Sequence, residues 1–191
     1  LQDGAVPLGV EEHLPSAMPH YPSDRPQPDP DLDVPWDPDI DNYGSHIQNA
    51  DEVLATYIEE REMGMVQGPL TLPEAKTILD NADPIFLPLG AREEKDKIRS
   101  IQDGTAPGTN HRIRLNCKTR ILLPGIQDSR QISAIAARDG IPVAMLQVDY
   151  SRAHRRIPIQ KKDWKYLAVR IFDAIWINMV GTYGLASAQF Y

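Results

Sequence analysis

From Asn49 onward the apolar positions recur at helical spacing. Val53, Leu54, Tyr57 and Ile58 fall at i, i+1, i+4 and i+5 and make one stripe. Asn49 or Asp51 can cap the start of this helix, and Gly64 or Gly68 ends it. A second helix is predicted over Leu72–Leu79, where Thr71 and Glu74 have capping-box spacing and Pro73 sits in the first turn. From Pro84 the pattern shortens. Ile85–Leu89 reads as an apolar strand bounded by prolines and Gly90, and Lys97–Gln102 as an extended piece leading into the turn signal Asp103-Gly104. Two more short extended pieces are predicted within 112–123. Gln127–Arg138 reads as a helix with Ile132, Ile135 and Ala136 inward and Gly140 as its stop. Pro142–Tyr150 reads as an apolar strand ending at Asp149, followed by a short helical turn over Ser151–Arg156. Leu167–Phe172 and Ile175–Val180 read as two strands joined at Asp173-Ala174, and a helix begins at Leu185 after the loop 181–184. This order predicts an α/β protein of the α+β type.

Residues 1–44 follow another rule. Nine of the 17 prolines lie between Pro7 and Pro38, and acids are dense from Asp24 to Asp41. Proline removes backbone donors and the acids repel one another, so a disordered Pro/Asp-rich tail is expected. A helical packing segment over 45–83 and an α/β unit over 84–191 follow it. The stretch starting at Asp37 imitates a calcium loop, but Asn42 and Gln48 stand where such a loop needs Gly and Glu.

With 191 residues, 41% apolar and 25% charged, the chain can bury the core of one domain. No apolar run approaches the roughly 18 residues of a membrane span, so no membrane partner is expected. The single Cys117 excludes an internal disulfide and any multi-cysteine zinc site. A Leu at the start and a Tyr at the end fit a piece of a longer chain. The net charge of −7 averages two opposed halves. Residues 1–90 carry 18 acids against 3 bases, and residues 91–191 carry 9 acids against 17 bases.

Three features can carry chemistry. Asp149, at the mouth of an apolar strand, sits where a metal ion or substrate can reach it, with the Val148 and Tyr150 main chain beside it. It can equally cap the turn that follows. Lys97 and Arg99 project from one face of a strand at a spacing that suits a polyphosphate, or else a solvated charged face. The basic run Arg152, Arg155, Arg156, Lys161, Lys162 and Lys165, interleaved with His154, Trp164 and Tyr166, suits a nucleic-acid surface. The histidines lack metal-ligand spacing, and neither Ser129 nor Ser187 sits in a nucleophile elbow.

The order of these features resembles the reverse transcriptases of retroelements. Lys97-Ile-Arg-Ser-Ile-Gln-Asp103 followed by Asn110 is similar to that family's fingers block. Val148-Asp-Tyr-Ser-Arg-Ala-His-Arg-Arg-Ile-Pro-Ile159 is similar to the palm block that opens with a metal-binding Asp. Thr182-Tyr-Gly-Leu-Ala-Ser-Ala188 is similar to the block usually written Pro-Phe-Gly-Leu-x-x-Ala. The resemblance covers about residues 84–191. Thr182 and Tyr183 replace the usual Pro and Phe, and His154 stands where the family usually has an aromatic residue that disfavours a 2′-hydroxyl.

The resemblance implies part of the fingers and palm of an RNA-directed DNA polymerase from a retrotransposon. It implies two-metal nucleotidyl transfer with Mg²⁺ or Mn²⁺, adding dNTPs to a primer on an RNA or DNA template. Asp149 would be the catalytic metal ligand, with main chain from Val148 and Tyr150. Lys97, Arg99, His154, Tyr183 and Gly184 would hold the nucleotide, and Arg152, Arg155, Arg156, Lys161 and Lys162 the nucleic acid. The family's paired aspartates would lie beyond Tyr191, in the remainder of the polymerase chain, so this fragment alone is expected to be inactive. The alternative is a catalytically inactive nucleic-acid-binding remnant of such an element.

Overall fold

The computed structural model describes residues 4–11, 21–22, 40–95, 97–116, 119–120, 125–144, 146 and 149–187. Short β1 (Tyr21–Pro22) precedes α1 (Gly44–Gln48) and α2 (Ala50–Glu62), then β2 (Val66–Leu70) and α3 (Leu72–Ile78). The hairpin strands β3 (Leu89–Glu94) and β4 (Lys97–Gln102) lead to α4 (Thr109–Leu115), β5 (Thr119–Arg120) and α5 (Ile126–Arg138). Two 3-10 turns, Ala153–Arg156 and Lys161–Leu167, come before β6 (Ala168–Ile171) and β7 (Ala174–Asn178). Helices and small antiparallel sheets are thus mixed along the chain, compatible with the α+β type.

The central sheet runs β2-β7-β6, all antiparallel. Ile171 faces Ala174 across a two-residue turn, and Phe172 takes φ 51° there, the left-handed backbone that tight hairpins require. Side chains alternate along β7, so Trp176 and Asn178 share one face. The α2 stripe covers that face. Val53 and Tyr57 are buried, and the Tyr57 ring meets Trp176 edge-on with centroids 5.7 Å apart. On α3, Glu74 accepts from the Thr71 N–H at 2.7 Å, which completes the expected capping box.

Four local expectations differ from the structure. The strand expected over Ile85–Leu89 moves to β3, because Pro84 and Pro88 lack the N–H groups a ladder needs. Only Phe86 forms a bridge there, to Ala168, with Leu87 N–H donating to the Ala168 carbonyl at 2.8 Å. Of the two extended pieces expected within 112–123, the first is replaced by α4, which buries Ile113 completely, while β5 (Thr119–Arg120) is an extended piece inside that range. No strand forms among the described residues of 142–150. On α5 only Ala136 is buried, while Ile132 and Ile135 are exposed together with Ile126, Ile141, Val143 and Leu146. Those apolar groups have no cover among the described residues.

The expected tail also departs from its reading at residues 4–11. Val6 N–H donates to Pro158 O and Gln160 N–H donates to Val6 O, each at 2.9 Å. Leu8 is fully buried, and its N–H donates to the Asp163 carboxylate at 2.7 Å. Asn116 holds the carbonyls of Gly9 and Val10. Asp163 is itself buried, so this backbone donor helps to satisfy a charge withdrawn from water. The strap survives its proline because its polar groups find partners and Leu8 and Val10 join the core. Of the calcium-loop lookalike over 37–48, residues 37–39 lie outside the described residues, and its second half forms α1.

Candidate functional site

The three blocks separated in sequence meet around Tyr183. Arg99, on β4, places its guanidinium carbon 5.3 Å from the centre of the Tyr183 ring. His154, in the turn after Asp149, meets the same ring edge-on with centroids 5.3 Å apart. The loop backbone fixes this arrangement from two sides. Gln102 N–H donates to the Tyr183 carbonyl at 3.3 Å, and Gly181 N–H to the Ile157 carbonyl at 2.8 Å. Gly184 has φ 97°, and a methyl built on it would penetrate the Gln102 carbonyl. One on Gly181 would lie 2.6 Å from the His154 carbonyl oxygen. The glycines therefore let the third block touch both others by main chain.

Asn110 follows the block that carries Lys97 and Arg99. It is buried and acts as a clip, its Nδ2 donating to the Gly184 carbonyl at 2.8 Å while its Oδ1 accepts from Ala186 N–H at 2.7 Å. Asp103, at the end of the same block, ties the turn below. Burial works to raise its carboxyl pKa, but the Tyr43 hydroxyl and the N–H groups of Thr105 and Ala106 outweigh burial and hold it low. A cavity of about 360 Å³ opens beside Gly184, lined also by Tyr43, Ile101, Gln102 and Asp103. A second groove of about 630 Å³ between α2, α3 and the β6–β7 turn contains none of the expected site residues.

Lys97 and Arg99 share the face of the β3–β4 hairpin on which Arg92 and Glu94 also lie, since Arg92 pairs with Arg99 and Glu94 with Lys97. Arg99 Nη2 donates to Glu94 Oε2 at 3.1 Å, and Lys97 Nζ lies 3.9 Å from the same oxygen. The hydrogen bond to Glu94 raises the Arg99 pKa, with the charges of Glu94 and Asp149 adding to it. Asp149 therefore stands in the field of Arg99, but it is exposed, and the described residues of 142–150 form no strand. Val148 lies outside the described residues, and the neighbouring Tyr150 is exposed. Among the described residues no group of three or more His, Cys, Asp or Glu side chains could hold a metal ion. The carboxylates among the described residues do not by themselves make a two-metal site.

The basic run is arranged differently from its expectation. Arg155 is buried, not a nucleic-acid contact. It forms a two-point ion pair with Glu60, and its Nη1 donates to Asn178 Oδ1 at 2.8 Å and to the Gly181 carbonyl at 3.3 Å. Gln102 Nε2 extends the network to Tyr57 OH at 2.7 Å. Burial pushes the Tyr57 hydroxyl up to about 12, so it stays protonated. Arg152 pairs with Glu59 at 2.8 Å, Lys161 with Asp80 at 2.7 Å and Lys165 with Glu11 at 2.7 Å. Exposed Arg156 donates to the Ser151 carbonyl, and Lys162 adds its field to that of Lys165 at Glu11. Trp164 and Tyr166 are core residues rather than exposed stacking platforms. In these four pairs the acid comes from residues 1–90 and the base from 91–191.

No protein-family model matches the chain. No curated protein matches it either.

Proposed function

We propose that the chain is the nucleotide-binding part of a retroelement-type RNA-directed DNA polymerase, contributing fingers and the beginning of a palm. The observation that supports this reading is the convergence of Arg99, His154, Tyr183 and Gly184 from three sequence blocks, with Asp149 in the field of Arg99. A cation beside an aromatic ring and a glycine-lined backbone suits a nucleotide: Arg99 for phosphate, Tyr183 and His154 for the flat and sugar parts. The proposed ligands are a dNTP and an RNA or DNA template-primer. Exposed Arg156 and Lys161 remain on the surface for the nucleic acid. Nucleotidyl transfer needs carboxylates beyond Asp149, so the 191-residue chain is proposed to bind without extending a primer.

One observation favours the second reading, an inactive nucleic-acid-binding remnant: Asp149 is exposed, and no strand forms among the described residues of 142–150. Amide chemical-shift mapping of the full 191-residue chain separates the two. Added Mg²⁺ and dATP should shift Gln102, His154, Tyr183 and Gly184 together at millimolar ligand or below. An RNA–DNA duplex that shifts the chain while dATP with Mg²⁺ leaves these four unmoved would favour the remnant. No response to either ligand would overturn both readings.

A further inference from the structure

The face of the β3–β4 hairpin beside Tyr183 concentrates positive charge around one acid. Arg92 stands directly across from Arg99, and like charges in that position repel. Lys97 completes a trio of cations whose shared neighbour is Glu94, and all three act on its carboxyl through their fields. The engagement is incomplete. Arg99 Nη2 makes an aligned hydrogen bond to Oε2, but Arg99 Nε lies 2.9 Å from Oε1 without the geometry of one. Lys97 at 3.9 Å makes only a loose ion pair. A forked guanidinium and an ammonium are therefore held by one partly accessible carboxylate that satisfies neither fully.

We propose that Glu94 is a built-in placeholder anion, occupying the cation cluster that a polyphosphate takes over and so setting its affinity. The inference rests on the nucleotide reading for its natural ligand, but its chemistry is that of any linear polyphosphate. The incoming phosphate oxygens take the Arg99 fork and Lys97, and the Glu94 side chain swings to solvent, a move open to a glutamate near a hairpin end. No bond is made or broken. Glu94 thus lowers affinity for anions too weakly charged to displace it, and the cluster favours ligands with several adjacent phosphates over a single carboxylate.

Calorimetric titration of the full chain with inorganic tripolyphosphate, and with dATP and Mg²⁺, tests this. Glu94→Gln should bind tripolyphosphate about three- to fivefold more tightly than the parent, the range expected for releasing an exposed ion pair. Glu94→Asp keeps the charge but shortens the reach, and should bind more tightly too. Arg99→Gln should lose most of the binding. A gain in Glu94→Gln with none in Glu94→Asp would overturn the placeholder in favour of a general charge effect. Nucleotide binding that is equal in the parent and both Glu94 variants would overturn it while leaving the nucleotide reading intact. Tighter tripolyphosphate binding in both variants, with no dATP binding by any protein, would support the placeholder and overturn the nucleotide reading. Failure of every protein to bind either ligand would overturn both.

Discussion

Replacing Arg155 with Met should cost this protein a large part of its stability. The side chains of Arg155 and Glu60 retain only 3% and 8% of their exposure. The guanidinium also serves Asn178 Oδ1 and the Gly181 carbonyl. Methionine fills much of the volume but leaves the Glu60 carboxylate buried with no counter-charge. Breaking a buried pair from one side costs about 3–5 kcal/mol. That is about a fifth or more of the roughly 5–15 kcal/mol that holds a domain together. With a urea slope of about 2 kcal/mol per M, the unfolding midpoint should fall by roughly 2 M. Buried Trp164 and Trp176 give the fluorescence signal for the titration. Arg156→Met is the control, because exposed Arg156 donates only to a nearby carbonyl and its loss should stay within about 0.5 kcal/mol. The double variant Glu60→Leu/Arg155→Met should be more stable than Arg155→Met alone, since no stranded charge remains. Equal midpoints for Arg155→Met and Arg156→Met would refute the buried network and restore Arg155 to the surface role its sequence neighbourhood suggests.

Two further variants probe the loop and the strap. Gly184→Ala should destabilise the chain by roughly 1–3 kcal/mol, because the left-handed backbone and the Gln102 carbonyl both oppose a methyl. The same urea titration reads it, and a change below about 0.5 kcal/mol would contradict the close approach. Glu11→Gln should flatten the acid limb of the stability curve. Its hydrogen bonds to Lys165 and Tyr166 hold the folded pKa below the ordinary 4.5, so its contribution is present above that value and fades as the pH falls through the folded pKa. Parent and variant should therefore differ most near neutrality, by less than about 1 kcal/mol at this exposed pair, and converge in acid. A gap that widens on acidification would reverse the assigned sign.

Periodicity located α2, α3, α5 and the β6–β7 hairpin, because each keeps an apolar rhythm or a capping signal within its own residues. It missed β2, whose five residues include Gly68 and Pro69, both of which ordinarily argue against a strand. It missed the strap for a similar reason. Pro7 and two glycines hide Leu8 and Val10, whose burial depends on residues about 150 positions away. The site residues were legible as types. Arg99, His154, Tyr183 and Gly184 do come together, but nothing local distinguishes Arg155 from Arg156. The difference is that Arg155 finds Glu60, 95 positions earlier, and Asn178, 23 positions later. A run of like charges reads as one surface in sequence, whereas a 3-10 turn sends successive members in different directions.

The strap sets an order of events during synthesis. Leu8 and its anchor Asp163 are 155 positions apart, so the ribosome releases the strap well before the partner that will bury it. At about 5–20 residues per second, the interval is roughly 8–30 s. Over that time Leu8 and Val10 have no wall to rest against, and the seat at Pro158–Tyr166 does not yet exist. Seating the strap is thus a late, long-range closure rather than a nucleus, and its loop-closure cost falls on the slow end of folding. A bulky fusion placed immediately before residue 4 would act on this final step, slowing completion of the fold while leaving the local helices free to form.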